Sequence, residues 1–120
     1  MKHASCALVL ISILFFSAAE PLQAATDKPV YIIRIDDGML GADGMMDYWL
    51  VRFITRYINE AKRSNAEAVI LEIETDGGLV KAAVKAAEAV SDSRLRTIAF
   101  VRYRATSAGA LLTYACQEIY

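Results

Sequence analysis

Two stretches of this chain carry residue types that could do acyl-transfer chemistry. Arg104-Ala105-Thr106-Ser107-Ala108-Gly109-Ala110 sets a serine between an apolar β-type run, Thr97 to Val101, and an apolar helical run, Ala108 to Cys116. A serine at such a junction has its oxygen at the positive end of a helix, and the next backbone N–H points the same way. That suits a nucleophile, although serine is also a preferred helix N-cap and a cap alone would explain it. Upstream, Gly77-Gly78 falls where a buried strand turns into a helix. Consecutive glycines allow torsions barred to other residues and let the backbone approach a ligand closely. Their N–H groups, near a helix N-terminus, form a natural anion pocket. A tight turn explains a lone Gly-Gly equally well, and no G-x-G-x-x-G dinucleotide loop is present.

The elements that must position these turns fit one modest domain of 120 residues. The formal net charge of -1 leaves no polybasic surface for nucleic acid. Met1 to Ala25 reads as a secretory signal, with Lys2 as its positive start and Cys6 to Phe16 as an apolar core too short for a comfortable membrane span. Cleavage would follow Ala19 or Ala24; an uncleaved N-terminal anchor is the competing reading. Removing the signal removes His3, the sole histidine, so neither a Ser-His-Asp triad nor a histidine-ligated zinc can be built. Neither a metal nor a cofactor is implied. Cys116 is left alone on an apolar helix face and reads as a small core residue, with intermolecular pairing as a minor alternative.

Residues 26–120 then read as a single α/β domain. Val30 to Ile35 is a strand ended by Asp36-Asp37-Gly38, and Gly41 to Gly44 is loop. From Met46 to Lys62, apolar residues at Trp49, Leu50, Phe53, Ile54, Tyr57, Ile58 and Ala61 keep helical period, which makes the aromatic stripe core packing. Ser64-Asn65 breaks that helix. Ala68 to Glu74 is the next strand, its first half continuously apolar as in a sheet covered on both faces. Leu79 to Val90 is a helix with Val80, Ala83, Val84, Ala87 and Val90 on one face; strand Thr97 to Val101 and helix Ser107 to Cys116 complete the alternation.

Leu71 to Val80, then Arg104-Ala105-x-Ser107-Ala108-Gly109-Ala110, then Glu118-Ile119-Tyr120, resemble the NfeD-type membrane-associated serine proteases, relatives of ClpP and signal peptide peptidase A. The resemblance runs from Val30 to the last residue. It implies a ClpP/crotonase-like fold of repeated β-β-α units, incomplete at the C-terminus, with Ser107 as nucleophile. It also implies an oxyanion hole formed by Gly77 or Gly78 together with Ala108. Two departures stand out. Asp76 occupies the place where the family usually has proline, and a carboxylate pointing inward there would oppose the developing charge. The family's base is a lysine well downstream of the serine, whereas Lys28, Lys62, Lys81 and Lys85 all lie upstream of Ser107.

The reading that follows is an exported Ser-Lys endopeptidase domain, periplasmic or on the extracytoplasmic face of the membrane, cleaving peptide bonds in hydrophobic segments. Its base lysine and its membrane attachment would lie in parts absent from these residues. Its substrate would be a hydrophobic peptide or a membrane protein, and it would assemble as a homo-oligomer. The alternatives are a non-catalytic ClpP-like interaction module at the membrane, or an inactive gene fragment. A crotonase-type acyl-thioester enzyme shares the implied fold, but export argues against it.

Overall fold

The computed structural model describes residues 27–37 and 48–120. The signal segment with its two cleavage positions, the Gly41 to Gly44 loop and the first residues of the Met46 to Lys62 helix lie outside them. The first strand, β1 (Val30–Asp36), buries Ile33 and Ile35. Helix α1 (Tyr48–Arg63) then buries Leu50, Ile54, Ile58 and Ala61, the spacing of a single helix face. Lys62 and Arg63 stand in its last turn, where cations complement the helix dipole. The break predicted at Ser64-Asn65 is a Schellman closure. Asn65 adopts φ 52°, its N–H bonds to Lys62 C=O at 3.2 Å, and Ala66 N–H reaches Ala61 C=O at 2.9 Å.

The chain continues as β2 (Ala68–Thr75), α2 (Val80–Ser91), β3 (Thr97–Ala105), α3 (Ala108–Tyr114) and β4 (Glu118–Ile119). The four strands form one parallel sheet whose spatial order, β1-β2-β3-β4, is also the chain order. α2 packs against both α1 and α3, so the three helices form one layer on one face of the sheet. Ile33, Ile35, Val69, Leu71, Ile73 and Ala99 meet that layer and make the core.

The other face of the sheet is bare among the described residues, contrary to the double cover expected from the apolar start of β2. Ile32, Ile70 and Ile98 are register partners in a row across β1, β2 and β3, and Ile32 is 66% exposed. Towards the strands' C-terminal ends this face turns ionic: Glu72 lies 3.6 Å from Arg34 and 3.3 Å from Arg102, which also reaches Glu74 at 3.5 Å.

Other expectations need correction. One strand alternates with one helix throughout the described residues, so the β-β-α repeat implied by the resemblance does not appear there. On α2 the buried residues are Ala82, Ala83, Ala86 and Val90, while Val80 and Val84 are exposed. Wedged between two helices above the sheet, α2 turns its alanines inward because they permit the closest approach. The aromatic stripe of α1 is only partly core. Trp49 stacks on Phe53 at 5.2 Å and Phe53 meets Tyr57 edge-on at 4.7 Å, a run along the flank with Trp49 51% exposed. β3 runs to Ala105 rather than Val101, and β4 is a strand that composition did not suggest.

Candidate active site

Thr75 ends β2 fully buried, and its side chain organises the turn that follows. Its Oγ1 accepts the Gly77 N–H at 3.0 Å, folding the chain back on itself. Gly77 then takes φ +116° and Gly78 φ +150°, values that a side chain rarely tolerates. The Thr75 carbonyl accepts the Thr106 N–H at 3.1 Å, which brings the end of β3 beside the same turn.

Ser107 follows at the head of α3 with φ 49° and ψ −116°, and its side chain makes no capping bond. The simple N-cap role is therefore absent. The torsions are those of a sharp strand-to-helix turn that exposes a side chain, and such a residue costs about 1–3 kcal/mol to hold. Gly77 makes room for it: a Cβ there would stand 2.9 Å from Ser107 Cβ and 3.2 Å from the Ala108 nitrogen. Gly109 serves the same turn from the other side, since a Cβ on it would come within 2.6 Å of Thr75 Cγ2. The residues singled out in the sequence, Gly77, Ser107 and Ala108, are thus in mutual contact distance, with Gly78 next in chain.

One detail redistributes the donors. The Gly77 N–H is taken by Thr75 Oγ1. The Ala108 amide has no acceptor among the described residues, and Gly78 takes part in a single β-bridge. Ala108 is the first residue of α3, where a helix leaves its N–H groups without internal partners.

Asp76 does not carry an unbalanced charge into this turn. Its carboxylate forms a two-point pair with Arg104, Nε to Oδ1 and Nη2 to Oδ2, the latter at 2.9 Å. Arg104 Nη2 also reaches Asp37 Oδ2 at 3.3 Å, and Asp37 Oδ1 accepts the Asp76 N–H at 3.4 Å. The guanidinium holds the Asp76 carboxyl below the usual carboxylate range, and Asp76 in turn raises Arg104. Three loop beginnings, after β1, after β2 and at the end of β3, are joined through one side chain.

The remaining candidates play structural parts. Burial pushes the Cys116 thiol up to about 11, and its Sγ faces Leu112 C=O at 3.8 Å, which fits a small half-buried residue rather than a nucleophile. Lys85 Nζ lies 5.4 Å from the Tyr48 ring centroid, and Lys28, Lys62 and Lys81 are exposed. Thr75, Asp37 and Gly109 escaped the sequence reading as site-building residues. A β-branched hydroxyl closing a buried strand just before Gly-Gly was the available signal for Thr75.

Residues 30–120 match the family described as NfeD1b, N-terminal domain. The chain is 31% identical over 120 residues to the membrane protein NfeD1b of Bacillus subtilis, aligning along its whole length with 26% of that protein. It is 28% identical over 107 residues to the membrane-bound protease PH1510 of Pyrococcus horikoshii, which covers 89% of this chain and 22% of that protein. Among solved structures, a serine-to-alanine variant of the 1510-N membrane-bound stomatin-specific protease superposes with a TM-score of 0.66 at 25% identity, covering 78% of this chain and 43% of that one.

The fold is that of a protease-related α/β domain. The chain belongs to the NfeD1b N-terminal domain family. It spans about a quarter of the length of the curated relatives it matches. Those relatives are membrane proteins or membrane-bound, and no helix among the described residues is long and apolar enough to cross a membrane.

Proposed function

We propose that this chain carries the nucleophile and oxyanion half of a serine endopeptidase site in a membrane-associated protein. The observation that carries the reading is Ser107, held uncapped in a strained turn against Gly77. Ser107 Oγ attacks a peptide carbonyl, and the tetrahedral oxyanion is received by the Gly78 and Ala108 amides, each such donor being worth about 3 kcal/mol of barrier. Gly77 serves as the spacer that lets the two turns meet. The hydroxyl proton passes to a lysine supplied from outside these residues, then to the leaving amine, and water releases the acyl group. The wider ClpP-like architecture, the extracytoplasmic location and a hydrophobic peptide or membrane-protein substrate belong to the same proposal. The solved relative is a stomatin-specific protease, which supports a substrate of that kind. The bare Ile32-Ile70-Ile98 row supports self-association.

The test is peptide cleavage by the full-length protein with Ser107→Ala. Loss of cleavage with an unchanged melting profile is the expected result. Cleavage that persists would remove Ser107 from the chemistry, and a wild-type protein that binds peptide without cutting it would favour the interaction-module alternative.

A further inference from the structure

The proposed site consists of two turns, one ending in Gly77-Gly78 and one in Ser107, and acyl transfer needs them at a fixed separation. The regular ladder does not supply this. Ile73 pairs with Val101 but Thr75 pairs with Ala105, so β3 bulges between Val101 and Ala105 just before the serine turn. Bulges beside functional sites re-aim side chains at the expense of main-chain pairing. Past the bulge, the strands are linked by the Thr106 N–H to Thr75 C=O bond, which stops short of the glycines.

Arg104 lies within that bulged stretch. It reaches back to Asp76, the residue immediately before Gly77, through both of its forked donors, and on to Asp37. One end of this link is adjacent to the glycine turn and the other is three residues before the serine. A planar guanidinium meeting a carboxylate at two points fixes orientation as well as distance, which a lysine cannot do.

We propose that Arg104 and Asp76 are positioning residues for the Ser107 site: their two-point ion pair holds the glycine turn at a set distance from the serine turn across the β3 bulge, and it neutralises a carboxylate that stands beside the amides receiving the oxyanion. The inference rests on the reading of Ser107 as an acyl-transfer nucleophile. In this role both residues act through the two turns. The two effects separate by variant. Asp76→Asn weakens the tie but leaves no anion next to the hole. Arg104→Gln removes the tie and leaves Asp76 and Asp37 as uncompensated anions facing each other. Arg104→Lys keeps the charge and loses the fork.

The experiment measures two quantities on the purified full-length protein. One is the rate at which a fluorophosphonate labels Ser107. The other is hydrogen–deuterium exchange over residues 76–79. A misplacement of about 1 Å can cost about 100-fold in rate. Arg104→Gln is therefore expected to slow labelling about 100-fold, and Asp76→Asn and Arg104→Lys about 10-fold, with half-saturating probe concentration unchanged. Exchange over 76–79 rises in all three. Labelling that is equal across the variants, or equally reduced in Arg104→Lys and Arg104→Gln, overturns the proposal. Wild-type protein that takes no label overturns the nucleophile reading and with it the catalytic half of the inference. The tie itself then stands or falls on exchange: unchanged protection in Arg104→Gln overturns it, and faster exchange supports it.

Discussion

Asn65 and Ser107 take nearly the same unusual φ, 52° and 49°, yet they sit in opposite kinds of turn. Asn65 ends α1, and its left-handed backbone lets two N–H groups satisfy the helix's last carbonyls. The conformation there is offset locally, by hydrogen bonds that a helix end needs. Ser107 begins α3 with ψ −116°, outside the left-handed helical well, and its side chain caps nothing. A Gly109 N–H to Thr106 C=O bond at 2.8 Å closes a turn across it, with Ser107 in a place that glycine usually fills. Neighbours distant in sequence also press on it, Gly77 on one side and Thr75 against Gly109 on the other. A backbone outlier that only completes a helix end is punctuation, whereas one also clasped by distant parts of the fold points towards function.

The contrast can be broken most forcefully at its supports. Gly109→Ala places a methyl 2.6 Å from Thr75 Cγ2, so Thr75 or α3 must shift, and either movement disturbs the turn that holds Ser107. The expected cost is about 1–3 kcal/mol in chemical denaturation, together with loss of serine labelling. Thr75→Ser deletes the opposing methyl while keeping the hydroxyl, and in the double variant it should recover much of both. A smaller effect compares the two outliers directly. Ser107→Gly relieves strain and should raise stability by roughly 1 kcal/mol while abolishing labelling. Asn65→Gly should change stability by less than about 0.5 kcal/mol, since both residues suit a left-handed helix end. Equal responses from the two sites would dissolve the distinction. The smallest effect is at the rim. The folded carboxyl of Asp76 is lowered by Arg104, so any stability from the pair is present above the unfolded value and lost as pH falls through the lowered folded value. A carboxyl-carbon NMR titration of Asp76 should place its midpoint below that of an exposed aspartate, and Arg104→Gln should return it upward.

Much of the frame could be read from residues alone because periodicity reports burial. The spacing of Leu50, Ile54, Ile58 and Ala61 marks α1, and Ser64-Asn65 marks its end. Periodicity was half right on α2: Ala83 and Val90 face inward as expected, but Ala82 and Ala86 take the places given to Val80 and Val84, because close packing between two helices favours small side chains. It failed on β4, whose two residues are too few to show any period. At the site, residue types and order suggested Gly77, Gly78, Ser107 and Ala108. What they could not carry was allocation: that Gly77 gives its N–H to Thr75, or that Asp76 turns to Arg104, depends on a β3 bulge with no compositional sign. The turn that sets the torsions of Ser107 is local, but the packing of Gly77 and Thr75 against it joins elements distant in sequence.

The sheet's strand order, identical to its chain order, also sets a sequence of events in time. Each new strand finds its partner already made, so the domain can grow from its N-terminal edge without waiting for distant chain. During synthesis β1, α1 and β2 can dock before Ser107 has been translated. The Gly77-Gly78 turn is synthesised first, and the Ser107 hydroxyl is brought to it when β3 and α3 dock.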